Sequence, residues 1–206
     1  DAELIPKKKL LRIPQYNIAE IPVFHYRETL MPDASDPDYA EWHKLHHRSE
    51  REKDWGMWVH TFDDLIPPKK YFKEHPEYFS LNNGVRSSKT QLCLSNSNVL
   101  DLVIMRLKDL ISKNPQASHW SISQNDTYGP CECSGCENID NQYGGVPSGS
   151  LIHFVNQVAE RFPNKVISTL AYQYSRKAPE GIKPVENVNI VLCTIELNRS
   201  RPIRSD

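Results

Sequence analysis

No stretch of the 206 residues approaches the run of about 20 apolar residues that a membrane-spanning helix needs. The opening DAELIPKKKLLRIPQ has lysines but no apolar segment behind them, so a soluble chain without a membrane span is expected. Charge of one sign is missing as well. Lys and Arg total 25 against 26 Asp and Glu, a net charge of -1, and no global field draws the chain to nucleic acid or an anionic membrane. Glycine is sparse, at 8 residues, and none of it forms the Gly-x-Gly-x-x-Gly turn after a strand that a dinucleotide site uses. There is no low-complexity segment and no repeat of fixed period. What remains is ordinary: 38% hydrophobic and 25% charged residues can furnish one core, and residues 1–206 are expected to form one domain with 1–19 as a linker or entry segment.

Fifteen prolines divide the chain into short pieces. Six runs have the β-rich or alternating character of strands: Pro22 to Glu28, Gly56 to Phe62, Thr90 to Asn96, His119 to Asp126, Val166 to Tyr172 and Val188 to Glu196. From Ser97, Leu100, Val103, Ile104, Leu107, Leu110 and Ile111 recur at helical spacing until Asn114-Pro115. From Ser148, Leu151, Val155, Val158 and Phe162 repeat the pattern up to Pro163, with Ser148 or Ser150 as N-cap. A further helix is expected at Asp36-Pro37, and Pro67 to Ser88 reads as a long loop with one helical turn.

Strands alternating with helices predict an α/β fold with a parallel sheet, either doubly wound or a (β/α) barrel. Polar residues close nearly every run: Arg27 and Glu28, His60, Asn96, Asn125 and Asp126, Tyr172, Glu196. That distribution favours a TIM-type barrel, whose active site lies at the carboxyl ends of its strands. A full barrel takes eight strands and about 250 residues, so six strands in 206 residues predict a barrel truncated at six of eight βα units, part of a longer chain.

The densest polar stretch is SISQNDTYGPCECSGC, residues 121–136. Asn125 and Asp126 set an amide and a carboxyl side by side at a strand tip, able to place a substrate group beside a proton donor, or simply to satisfy a turn. Glu196 emerges at the same rim, either as a second carboxylate for glycoside hydrolysis or as an ion-pair partner of Arg199 or Arg201. Cys131, Cys133 and Cys136 have the spacing of a structural zinc site, with Cys93, Cys193 or His153 as a fourth ligand; a disulfide or free thiols are the alternatives. His43 and His47 stand at i, i+4, but Lys44 occupies the place where a zincin has Glu, and a solvated helix face is expected. Tyr172 and Tyr174 sit where rings can stack on a sugar.

Taken together, HYRE (25–28), WGMWVHTF (55–62), KEHPEYFSLNNGVR (73–86), QLCLSN (91–96), SISQNDTYGPCECSGC, LAYQYSRK (170–177) and VLCTIE (191–196) resemble a bacterial family first catalogued as a domain of unknown function. That family is common in glycan-degrading gut bacteria and has been linked to endo-β-N-acetylglucosaminidases. The resemblance covers nearly the whole chain from about residue 20 and is most specific over 124–136. It implies an exported, periplasmic or cell-surface TIM-barrel glycoside hydrolase with a glycan substrate and no catalytic cofactor. It implies that Asp126, at the end of the fourth run, is the proton donor. By analogy with related acetamido-sugar hydrolases, Asn125 would orient a 2-acetamido group acting as internal nucleophile. In these relatives the donor is often Glu. Arg27, Glu28, His60, Asn96, Tyr172 and Tyr174 become substrate-binding candidates. A non-catalytic glycan-binding barrel and a two-carboxylate hydrolase of uronic-acid sugars, using Asp126 and Glu196, are the rival functions.

Overall fold

The structure, a computed structural model, describes residues 9, 10, 12, 14–24, 26–198 and 200–202. The chain divides into two compact units, Asp1–His47 and Arg48–Asp206. Among the described residues no helix is long and apolar enough to cross a membrane.

In the first unit, α1 (Pro37–Trp42) starts where Asp36-Pro37 predicts it. Asp36 Oδ1 accepts from the Asp38 and Tyr39 amides, and Pro37 supplies a first-turn residue that needs no donor. His43 follows the helix as its C-cap and His47 lies beyond it, so the two imidazoles do not share a helical face. The described residues of 22–28 form no strand, and His25 lies outside the described residues. Arg27 pairs with the chain at His46 instead: its N–H donates to His46 Nδ1 at 3.0 Å and its carbonyl accepts from the His46 amide at 2.7 Å.

The second unit is built on a four-stranded, all-parallel sheet. Its strands are β1 (Trp55–Met57), β4 (His119–Ser121), β5 (Val166–Ala171) and β6 (Val188–Leu192), in the order β1-β4-β5-β6. Between β1 and β4 the chain makes the small hairpin β2 (Leu81–Asn82) and β3 (Val85–Arg86). Asn83 and Gly84 both have positive φ, the conformation a two-residue type I′ turn requires. The predicted count of six barrel strands is therefore corrected to four parallel strands among the described residues. Thr90–Asn96 alternates like a strand, but its backbone bonds run to residues 78–80, through Ser80 N to Gln91 O, Cys93 N to Tyr78 O and a Phe79–Leu92 bridge.

Seven helices are described. After α1 come α2 (Arg48–Asp54), α3 (Phe62–Leu65), α4 (Pro68–Tyr71), α5 (Ser97–Lys113), α6 (Ser134–Gln142) and α7 (Ser148–Ala159). The two strongest helical periodicities are realised as α5 and α7, which bury Val99, Val103 and Leu107, and Leu151, Phe154, Val155 and Val158, in one core. Trp120, Ile122 and Ile167 enter the same core from the sheet. The expected serine N-cap of α7 is replaced: Asp140 reaches from α6 and accepts from the Ser150 amide at 2.7 Å.

Register explains a glycine. Trp55 pairs with His119 and Met57 with Trp120, so Gly56 is the extra residue of a bulge, and the buried Trp120 indole lies directly against it. On alternate positions Ser121, Ser123 and Ser168 turn to the opposite side of their strands, where Ser121 Oγ donates to Ser123 Oγ and Asn189 Nδ2 to Ser168 Oγ, both at 2.9 Å.

Candidate active-site rim

The parallel strands all end at one edge, and each sends a polar or nucleophilic residue there: His60 after β1, Asp126 after β4, Tyr172 after β5, Cys193 after β6. Beyond β1 and β4 the regular ladder gives way to side-chain bonds. Thr61 Oγ1 donates to Ser121 O at 2.9 Å and accepts from Ser123 N at 3.1 Å, while the His60 amide donates to Ser123 Oγ at 2.9 Å. These bonds hold His60 in a left-handed conformation, φ +58°. Gln173, one residue past Tyr172, is left-handed too, at φ +49°, and its buried Oε1 has no hydrogen-bond partner among the described residues. Strained backbone of this kind clusters at functional sites.

Tyr172 Oη donates to Asp126 Oδ1 at 2.9 Å. That bond, with the Asp126 charge behind it, pushes the Tyr172 phenol above its ordinary pKa, so the proton stays on the phenol. His60 Nδ1 lies 2.8 Å from Gln124 O, which can only accept, so Nδ1 is the donor and Nε2 is the ring nitrogen left to face outward. The His60 and Tyr172 ring centroids are 5.9 Å apart.

Asn125 is at the rim, but its amide is occupied. Nδ2 donates to Asp63 Oδ1 at 2.8 Å and to Thr90 O at 2.7 Å, and Oδ1 accepts from Asp63 N at 3.2 Å. No N–H is left to orient an acetamide. Two residues that sequence reasoning missed hold this knot. Buried Gln91 accepts from Asn125 N at 2.9 Å and donates to Asn125 O at 3.0 Å and Thr127 O at 2.7 Å. Asp63 is held above the ordinary carboxylate range, first by burial and then by Asp64, against the lowering effect of Asn125. It opens onto a cleft of about 790 Å³ lined also by Lys69, Phe72, Lys73 and Ser88.

The remaining candidates fare differently. Glu196 lies in an exposed turn four residues past the end of β6, and Arg199 is outside the described residues. Asn96 is a helix cap, not a strand tip: its Oδ1 accepts from Asn98 N at 2.9 Å. Arg27 Nε donates to Lys44 O at 2.9 Å, and Glu28 accepts from Tyr26 Oη at 2.8 Å, both within the first unit. Tyr174 is half-buried with its ring edge-on to exposed Tyr128 at 6.2 Å; burial, then Asp140 and Cys136, push its phenol up.

Cys131, Cys133 and Cys136 converge with Cys93, and the four sulfurs lie within 4.8 Å of one another. Cys193 and His153 are not part of this group. All five cysteines are free. Hydrogen bonds from Cys131 and Cys136 push the Cys93 thiol far down, and bonds to Cys131 and Cys93 together with burial push Cys136 far up, so the four titrate as a unit.

Among solved structures, the chain is similar to GH36 α-galactosidases of Geobacillus stearothermophilus. A variant of AgaA in complex with 1-deoxygalactonojirimycin matches at 15% identity and a TM-score of 0.32, over 48% of this chain and 14% of that one. AgaB matches at 14% identity and a TM-score of 0.30, again over 48% and 14%. This chain thus spans a small part of those enzymes' length. No curated protein matches it. The family described as domain of unknown function DUF4838 matches residues 1–206, the entire chain, and the chain belongs to that family.

Proposed function

We propose that this rim is the catalytic face of a glycoside hydrolase that cleaves next to N-acetylglucosamine in N-glycans, with Asp126 as general acid. The observation that carries the reading is the convergence of His60, Asp126, Tyr172 and Cys193 from four successive parallel strands onto one edge, the arrangement of a (β/α) barrel's active face. Strand order without a reversal supports half of such a barrel over a doubly wound sheet. The motif resemblance over 121–136 supplies the acetamido-sugar class.

In this reading Tyr172 holds Oδ1 and leaves Asp126 Oδ2 to carry the proton outward. The glycosidic C1–O bond breaks as Oδ2 gives its proton to the leaving oxygen, and the substrate's acetamido oxygen bonds to C1. Water then opens that ring and returns a proton to Asp126. His60 Nε2 accepts the acetamide N–H, and Asn125 acts as a positioning residue because its own amide is engaged. Tyr128 and Tyr174 offer the aromatic surface for the sugar.

The position of Asp63, bonded to Asn125 next to Asp126, supports one second reading: a two-carboxylate hydrolase in which Asp63 is the proton donor and Asp126, accepting from Tyr172, works ionised. An N-glycoprotein incubated with the protein, followed by mass spectrometry of released glycan, tests the function. Asp126→Asn should slow release about 10²–10⁴-fold, with far less loss on substrates that have an activated leaving group. Equal losses on both substrates, with Asp63→Asn sparing activated ones, would move the acid to Asp63. Binding without release by the unmodified protein would leave a glycan-binding module.

A further inference from the structure

We propose that Cys93, Cys131, Cys133 and Cys136 bind one zinc ion as a closed structural site. A tetrahedral zinc with Zn–S bonds of about 2.3 Å sets its sulfurs about 3.8 Å apart. Here Cys93 Sγ lies 3.5 Å from Cys133 Sγ and 4.0 Å from Cys136 Sγ, and no two of the four exceed 4.8 Å. The sulfurs form one compact group instead of two separate pairs, which is the geometry of a shared cation and not of two disulfides. The spread leaves room for a single ion; a polynuclear iron–sulfur cluster pushes its cysteines further apart. Four thiolates also select a soft ion over magnesium or calcium.

The surroundings fit a thiolate cage. The Leu81 amide points at Cys131 Sγ at 3.3 Å, and the Arg86 guanidinium stands 3.6 Å from the same sulfur, placing positive charge beside the net negative centre that zinc and four thiolates make. Ser95 Oγ lies 3.3 Å from Cys136 Sγ, 3.5 Å from Cys133 Sγ and 3.6 Å from Cys93 Sγ. It fits only because residue 135 is glycine, since a Cβ there would stand 2.6 Å from that oxygen. Cys93, Cys131 and Cys136 are buried and Cys133 half-buried, so no coordination position faces a substrate. On binding, the cysteines that are still protonated release their protons and four thiolate Zn–S bonds form.

The consequence is mechanical. Zinc would tie the 91–96 segment, which carries Gln91, to the 131–136 segment, which follows Asn125 and Thr127 in the chain, and so close a loop around the Gln91–Asn125 knot. The first bonds to residues 78–80 and the second, through Glu132 N, to Leu81 O, so both flank the same 78–82 stretch without pairing to each other in any backbone bond among the described residues.

The test is elemental analysis of the full chain purified under reducing conditions, which reads the metal without any substrate and so stands apart from the glycosidase assay. One zinc per chain is expected. Thiol modification by an organomercurial should release it stoichiometrically to a chromophoric chelator, and cobalt exchange should give the visible absorption of a tetrahedral four-thiolate site. Cys193→Ser should retain the zinc and Cys136→Ser should lose it. If Cys136→Ser fails to fold, release from the unmodified protein decides alone. Protein without zinc whose thiols all react in the folded state, a mass showing disulfides, or stoichiometric iron would each overturn the proposal.

Discussion

Gly56→Ala perturbs the point where the sheet is tightest. A Cβ at residue 56 would fall on the Cη2, Cζ2 and Cζ3 atoms of Trp120, far inside the roughly 3.5 Å that carbon atoms keep. Trp120 is 1% exposed, and its Nε1 donates to Ala117 O at 3.2 Å, so the ring cannot swing aside without losing that bond. Overpacking a core costs about 1–3 kcal/mol and a lost hydrogen bond about 0.5–1.5 kcal/mol, giving a destabilisation of about 2–4 kcal/mol. For a chain of this size that is a fall in Tm of roughly 4–16 °C by calorimetry. Trp120→Phe removes the benzo ring that the new methyl would strike. The double variant should therefore be more stable than the sum of the single effects by about 1 kcal/mol or more. An unchanged Tm in Gly56→Ala, or strict additivity with Trp120→Phe, would refute the claim that this residue is glycine for the indole's sake.

Three further outcomes follow from the same contacts. Gln91→Ala strips partners from the Asn125 amide and the Asn125 and Thr127 carbonyls; at about 1–3 kcal/mol for each buried group left unpaired, it should lower denaturant stability and speed proteolysis within 125–130. Asp63 binds its proton more tightly folded than unfolded, so its ionisation opposes folding as pH rises through the raised native value. The Tm difference between the natural protein and Asp63→Asn should accordingly shift in favour of the natural protein as pH falls from neutral toward 3.8, and a pH-independent difference would contradict the shift. Asn125→Ala should lose activity together with loop order seen by hydrogen exchange, and full activity in a disordered loop would remove its positioning role.

The legible parts of the fold are those fixed by local periodicity. α5 buries one face, with Val99, Val103 and Leu107 at a spacing of four, whereas α7 is buried nearly all round, with only His153 and Gln157 partly exposed. α6 is not legible in the sequence because SGCENIDNQ is polar nearly throughout and buries only Cys136; the four-cysteine group and a cap for α7 hold it there. Thr90–Asn96 shows the limit of alternation, which reports that Leu92 and Leu94 are buried but not which chain accepts their backbone bonds. The Asn83-Gly84 turn had a usable signal, an Asn-Gly pair before a short β-like stretch, inside a segment read as loop. At the site, residue type was legible and valence was not. Asn125 looks available in sequence and is saturated in the fold, by Asp63 and Thr90, 62 and 35 residues away. Spacing likewise gave three of the four clustered cysteines and three candidates for the fourth; only the path of 78–93 selects Cys93.

That distinction between residue type and open valence divides the rim into two sets. Gln91, Ser123 and Asn125 direct their polar atoms into the protein, where each fixes backbone from a different segment. Asp126 keeps Oδ2 and His60 keeps Nε2 without a protein partner among the described residues, while their other polar atoms, Oδ1 and Nδ1, are anchored. A group anchored at one end and open at the other arrives at a substrate already oriented, so that less entropy is lost in reaching the reactive geometry. A turn-capping aspartate would need to direct its carboxylate at nearby amides, as Asp36 does with the amides of Asp38 and Tyr39. Asp126 instead bonds a phenol 46 residues distant on the neighbouring strand's exit, and local turn chemistry gives no reason for that partner.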